Sequence, residues 1–266
     1  MTAPGSIRGA NPRGRSYRGY RRPWWARLIR AVIGIVVVVA CLGLAAFGGL
    51  MALTPSVSNA RQIARAMTAA HHSVYPGPLV PPRFAAALEA TEDHRFNSEP
   101  GIDPFAVARF LAGPLIGKND QGGATLYQQL AKMLYTPGQA GVAVEAKQVA
   151  LAVKLKYSYS GAEILRLYAD VAYFGNNFYG LSAASCGYFG VTPAGMSWPQ
   201  AALMAGLVQG PSADDPLTSP ARGRAREVHV IGRLVAVGKL SQTQASRALA
   251  VPLRTLLANA GQGCRA

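Results

Sequence analysis

The chain has 266 residues, half of them hydrophobic, with 27 Lys and Arg against 12 Asp and Glu and a formal charge of +15. That balance invites a nucleic-acid reading, but the charge is unevenly placed. Eight arginines (8, 13, 15, 18, 21, 22, 27 and 30) fall in the first thirty residues with no acid among them, which leaves 19 basic residues against all 12 acids, or +7, for residues 31–266.

Residues 31–53 carry no charge over 23 positions. As a helix that run is about 35 Å long, enough for a hydrocarbon core of about 30 Å. It is too long for a typical signal-peptide core. Ser58-Asn59-Ala60 offers small residues for cleavage, but an anchor fits the run better. The arginine excess ahead of it places the N-terminus in the cytoplasm and the bulk of the chain outside the cell membrane. Trp24 and Trp25 sit where interfacial aromatics are expected. Beside an anchor, a basic tail over 1–30 suits anionic lipid headgroups better than nucleic acid. The remaining positive excess suits an anionic lipid-linked substrate, or is solvated surface.

Residues 54–82 read as a connector, with a short helix over 58–70 that the proline-rich YPGPLVPP of 75–82 cannot continue. Residues 83–250 are enough for one well-buried domain, and 251–266 form a C-terminal tail. The pattern predicts helices near 83–95, 103–115, 124–135, 143–157, 161–173, 179–187, 199–208, 221–237 and 242–250. Ser197-Trp-Pro-Gln starts one of them with proline in its first turn, and Gly210-Pro211 stops it. Gly238 ends the long basic helix and Ser241 caps the next. There is no useful alternating strand pattern and no internal repeat, so the reading is a mostly α domain on one membrane anchor.

Three cysteines and four histidines add little. Cys41 lies in the apolar run. Cys186 and Cys264 could pair outside the cell, but the expectation is a lone buried Cys186 and a tail Cys264. His71 and His72 are neighbours and cannot share a helix face, and His94 and His229 are isolated. No metal-ligand spacing appears.

Two segments carry candidate chemistry. Residues 90–103 read ATEDHRFNSEPGID. Glu92 lies four residues after Leu88 and four before Phe96, along an apolar stripe. Partial desolvation there raises a carboxylate's pKa toward proton-transfer use. The alternative, favoured by the helix alone, is a helix-end carboxylate paired with Arg95 or a backbone amide. Residues 121–132 read QGGATLYQQLAK. Thr125, Gln128, Gln129 and Lys132 share one helical stripe, while Leu126, Leu130, Met133 and Leu134 share another that would face a core. Gly122 and Gly123 let backbone N–H groups at the helix start approach a ligand closely. Neutral amides, a hydroxyl and a cation suit a polar, anionic ligand such as a sugar pyrophosphate.

The second segment resembles the G-G-S-T-x-x-Q-Q-x-x-K motif of the peptidoglycan glycosyltransferases, the transglycosylase modules of class A penicillin-binding proteins and their monofunctional relatives. Ala124 replaces the usual serine. The first segment resembles that family's E-D-x-x-F-x-x-H-x-G-x-D motif through Glu92, Asp93, Phe96, Gly101 and Asp103, with Glu99 in place of the histidine. The third motif, approximately R-K-x-K-E, is where the chain departs most. Counting nineteen residues from Gln129 reaches Gln148, within Val144-Glu145-Ala146-Lys147-Gln148. Lys147 is retained, and the Arg-Lys pair and the glutamate are not. Gln148 lies on the stripe of Val144, Leu151 and Leu155 and points inward. Glu145 is about 60° round the helix and is a poor substitute. Downstream, Ile164 to Tyr168, Tyr173 to Gly175, Tyr179-Gly180, Tyr188 to Gly190, Ala201 to Leu207, Pro211 and Arg226 follow the family's remaining motifs in order. Asp170 stands for an asparagine and Gln200 for a glutamate.

The resemblance implies a mainly α, two-lobed, lysozyme-like fold with one N-terminal transmembrane helix, at the outer face of the cytoplasmic membrane. It implies polymerisation of lipid II, with Glu92 and Gln148 at the catalytic positions. Asp93, Phe96, Gly122, Gly123, Thr125, Gln128, Gln129, Lys132 and Lys147 would bind substrate. The partners implied are lipid II, the growing glycan chain and the membrane, within cell-wall synthesis, and no nucleic acid. No cofactor is required by the sequence, although the family often uses a divalent cation such as Mg or Mn. No Ser-x-x-Lys occurs, so a single activity is expected without a transpeptidase half. Two other readings stay open. The losses around Gln148 suit a non-catalytic protein that holds lipid II or a polymerase partner. A lone glutamate on a helical fold also suits a lysozyme-type glycosidase, against which the pyrophosphate-type residues of the second motif count.

Overall fold

In the computed structural model, which describes residues 23–103, 124–250, 252–255 and 264, the first element is a helix α1 over Trp24–Leu53. It is long and apolar enough to cross a membrane, and its side chains are exposed along its length. Residues from Gly49 onward form one compact unit. Its helices are α2 (Ala60–Ala70), α3 (Pro82–Glu92), α4 (Leu126–Tyr135), α5 (Val142–Ser158) and α6 (Gly161–Val171). A 3-10 turn over Pro193–Gly195 lies between α7 (Leu181–Phe189) and α8 (Trp198–Leu207), and α9 (Pro220–Ala236) and α10 (Gln242–Leu249) complete the unit. Among the described residues the only β pairing is an isolated antiparallel bridge between Tyr173 and Tyr179. The mainly α expectation with one N-terminal apolar helix holds. The predicted helix near 103–115, the paired glycines and most of the arginine tail lie outside the described residues.

The helix starts show why these segments fold locally. Thr125, Ser197 and Ser241 each accept the backbone N–H three residues on, and Gln128, Gln200 and Gln244 reach back to the cap's own N–H. Two otherwise unpaired donors are satisfied at each start, an arrangement in which replacing the cap by alanine costs about 1 kcal/mol. Gln200 closes its box although a glutamate is usual there.

The helices pack in two groups. In the first, α3, α8 and α9 lie against one another, with α10 on α9. In the second, α4 packs on α5 and α6, and α2 on α6; α7 touches both α6 and α8. Phe84, Leu88, Leu126, Leu130, Leu151, Leu155, Ile164 and Met196 are among the fully buried core side chains. Beyond the apolar helix the chain is pinned to the second group: Lys154 Nζ donates to the carbonyl oxygens of Thr54 and Pro55, and the hydroxyls of Tyr135 and Tyr159 donate to that of Val57.

Two expectations need correction. The helix predicted to 95 stops at Glu92, because Asp93 swings into an extended conformation (φ −159°) and accepts the N–H of Leu126. The Asp93 N–H still closes the last turn on the Glu89 carbonyl, and the backbone leaves the helix from there. Cys186 is not a lone buried thiol: it forms a disulfide with Cys264, 78 residues on. Sequence spacing could not show that the tail returns to α7.

Gly101 ties the loop after α3 to the second group. Its φ is +91°, and a Cβ there would lie 2.8 Å from the Ala152 carbonyl oxygen, while its own carbonyl accepts the Thr125 hydroxyl at 2.8 Å. Gly101→Ala adds both strain and a clash, and should destabilise the folded unit by about 1–3 kcal/mol, measurable as a lower urea midpoint with an unchanged slope.

Candidate active site

Glu92 ends α3, and its Oε2 accepts the Gln129 Nε2 amide at 2.9 Å. Gln129, on the second turn of α4, is fully engaged. Its other N–H donates to the Ala124 carbonyl at 3.2 Å, and its Oε1 accepts the Tyr168 hydroxyl at 2.8 Å. Tyr168 is buried on α6, and turning the amide over would set its oxygen against the Glu92 carboxylate, two acceptors with no proton between them. A chain of directed bonds therefore runs from Tyr168 through Gln129 to one oxygen of Glu92. Burial pushes the Glu92 carboxyl above its ordinary range, against the opposing Gln129 hydrogen bond and the charge of Arg226; Asp93 adds to the rise and His229 opposes it.

Asp93 is 7% exposed and bonds the Leu126 N–H at 3.0 Å, fixing the start of α4 beside the end of α3. Burial raises its pKa too, opposed by that N–H. Thr125 is buried, with its hydroxyl spent on Gly101 and on the α4 cap, and Gln128 spends its Oε1 on the same cap. Phe96 is 1% exposed and stacks on Tyr127 with ring centroids 4.8 Å apart. In this structure it packs in the core, where substrate contact was expected.

Lys132 is exposed on α4, one turn beyond Gln129, and Thr136 caps the end of that helix. Residues 129, 132 and 136 fall within about 60° of one another and span about 10 Å of helix axis. Gln148, on α5, donates its amide to the Thr136 hydroxyl at 2.8 Å. Lys147 precedes it and is half-buried, while Glu145 is exposed. Base, cation and amide thus follow one another along a single face of α4. Gly122 and Gly123 lie outside the described residues. Among the described residues no group of three His, Cys, Asp or Glu side chains could hold a metal ion.

A cavity of about 350 Å³ is lined by Asp214, Arg222, Arg226 and His229, of which Arg226 and His229 are close enough to act on the Glu92 carboxyl. Asp214 holds both arginines, with Oδ1 on Arg222 and Oδ2 on Arg226, and the Arg226 pair in particular lowers its pKa against the effect of burial. A larger cavity of about 620 Å³, lined by Arg61, Arg65, Glu163, Arg166 and Asp170, lies elsewhere. Residues 163, 166 and 170 are about 140–200° round α6 from Tyr168, so it opens away from Glu92.

A family model described as Transglycosylase matches residues 59–235, which take in α2 to α8, nearly all of α9 and the Glu92 site. The chain belongs to that family. A Cupriavidus necator protein with a provisional transglycosylase name is 31% identical over 86% of this chain and 97% of its own length. Penicillin-binding protein 2a of Streptococcus pneumoniae is 36% identical over 66% of the chain, and penicillin-binding protein 1A of Escherichia coli 35% over 62%. The chain spans only 24% and 20% of the length of those two relatives. The crystal structure of penicillin-binding protein 1A from Haemophilus influenzae overlaps half of the chain at 26% identity and a TM-score of 0.35. Membership of the transglycosylase family brings glycosyl transfer in peptidoglycan synthesis as the general activity, and α1 is consistent with a single-pass anchor.

Within this transglycosylase, sequence reasoning missed Tyr168 and His229. Tyr168 read as packing, since helical periodicity identifies a buried aromatic but not the bond its hydroxyl makes. Gln129→Leu removes the hydrogen bond that holds the Glu92 pKa down. The carboxyl should then titrate at higher pH than in the wild type, as followed by NMR of carbon-13-labelled glutamate side chains, with Glu92→Gln identifying the signal.

Proposed function

We propose that this transglycosylase polymerises lipid II, the undecaprenyl-pyrophosphate-linked disaccharide-pentapeptide, into β-1,4 glycan strands. The reading rests above all on one half-buried carboxylate, oriented by a locked amide, at one end of a helix face whose next turn carries an exposed cation. Glu92 takes the proton from the 4-hydroxyl of the acceptor sugar, and that oxygen attacks the anomeric carbon of the growing chain. The bond from that carbon to the phosphate oxygen breaks, and undecaprenyl pyrophosphate leaves with the electron pair. Attack opposite the leaving group inverts the centre. Lys132 and Lys147 neutralise the pyrophosphate, and Gly122, Gly123 and Gln128 shape its site. The raised Glu92 pKa suits a general base, which must be ionised before the reaction and able to hold a proton during it. The eight N-terminal arginines support an N-terminus in the cytoplasm and a catalytic unit on the outer side of the membrane. A single activity and a place in a cell-wall synthesis complex belong to the same reading.

A second reading, a protein that binds lipid II without polymerising it, is favoured by Gln148. The family's second carboxylate position is held by a neutral amide already engaged with Thr136. Labelled lipid II separates the readings, giving glycan chains in one case and binding alone in the other; cleavage of preformed glycan would instead mark a glycosidase.

Glu92→Gln keeps size and hydrogen bonding but removes the base. Glycan synthesis should fall about 10²–10⁴-fold, with folding and lipid II binding retained, whereas Lys132→Ala should weaken binding. A Glu92→Gln rate within a few-fold of wild type would overturn the mechanism. Gln148→Glu should stay folded, because the Thr136 hydroxyl can turn from the distant Lys132 carbonyl, at 3.5 Å, to donate to the new carboxylate. With Lys132 and Lys147 nearby, that variant should polymerise at least as fast as wild type; a clear loss by the folded variant would show that a second carboxylate has no role here.

A further inference from the structure

Glu99 takes the place of the histidine usual in the first motif, and nothing in the mechanism above uses it. It is 4% exposed, and its carboxyl lies within hydrogen-bonding reach of that of Asp93, itself 7% exposed. Two carboxyl oxygens meet in this way only across a proton, since two buried carboxylates in contact cannot both be ionised. The proton's owner follows from the other bonds. Asp93 accepts backbone N–H groups from Leu126 and Arg95, which favour its charged form. Glu99 Oε1 is buried and has no hydrogen-bond partner, tolerable for the carbonyl oxygen of an acid but costly for a carboxylate.

We propose that Glu99 is a positioning residue that acts as a neutral carboxylic acid, its O–H donating to Asp93 and so holding, through the Leu126 N–H, the helix start that presents Gln129 to Glu92.

The surroundings are mixed in charge. From its own loop Glu99 is faced by Asp93 and by the ion pair of Arg95 and Asp103, with His94 nearby. Glu89 on α3 and the Tyr127 phenol on α4 complete the set, with Lys156 of α5 donating to that phenol at 3.1 Å. Burial, then the Asp93 charge, push the Glu99 carboxyl up to about 8, while Arg95 opposes them. A carboxyl raised above its unfolded value contributes stability that is full below about pH 4.5 and is lost as pH rises through about 8. Above that range the proton leaves, two anions face each other, and the hold on α4 weakens.

The effect on the rate depends on the proposed polymerisation; the proton itself does not. Infrared spectra of the full-length protein in detergent should show a buried protonated-carboxyl band at pH 7. It should be lost in Glu99→Gln and should fade in wild type as pH passes about 8. In unfolding experiments wild type should lose stability from pH 7 to 9, while Glu99→Gln, whose amide also donates to Asp93 but does not titrate there, should not. With lipid II, the wild-type rate should fall about tenfold between pH 7 and 9, following the protonated fraction of the pair. Glu99→Gln should keep its neutral-pH rate and flatten this limb, and Glu99→Ala should be slow at both pH values. Absence of the band, or the same alkaline losses in Glu99→Gln as in wild type, overturns the proposal. Absence of glycan synthesis in every variant, with band and stability as expected, counts against polymerisation alone.

Discussion

Two consecutive carboxylates at the end of α3 reach across to one helix of the other group, and the site depends on that reach. Glu92 takes the Gln129 amide, and Asp93 takes the Leu126 N–H. One apolar core runs through both helix groups, but apolar burial is non-directional and does not by itself set how the end of α3 meets the start of α4. Hydrogen bonds to charged acceptors are the stronger kind, about 1.5–3 kcal/mol each, and here they set direction as well as energy. The end of α3 is held from behind as well, by Arg233 of α9, whose Nε donates to the Ala90 carbonyl at 3.1 Å.

Most of the motif residues support the site and do not face a ligand. Asp93, Phe96 and Thr125 are buried and bonded within the protein, and Gln129 spends both donors and its acceptor on neighbours. Among the described motif residues, Glu92, part of Gln128 and the two lysines are left unburied. The motif thus specifies a mount for one carboxylate, with the cations placed by helix pitch alone.

The helices were legible because apolar residues recur at helical spacing and because Ser, Thr, Gly and Pro mark the ends. Glu92 was legible in part: Leu88, one turn before it on α3, pointed to the burial that raises its pKa, while Phe96 lies beyond the end of that helix. The stop of α3 was not, because local propensity gives no reason to break there, and the bond that breaks it comes from a residue 33 positions away. Distance in sequence hid the Cys186–Cys264 pair in the same manner. At Gln148 the stripe correctly turned the side chain inward, but Thr136 as its partner depends on how α4 and α5 lie together. Periodicity gives a direction from an axis; a partner needs two axes at once.

The locked amide also makes Glu92 a proton terminus with one door. Gln129 offers that carboxylate only an N–H, which cannot accept a proton near neutrality, and behind it Tyr168 is buried, its acidity suppressed further by burial. No relay therefore leads inward through Gln129. Under the proposed polymerisation, a proton captured by Glu92 would leave on its other side, toward the sugar just added or toward the cavity that Arg226 and His229 line. The enzyme's reset would then depend on what next fills that side.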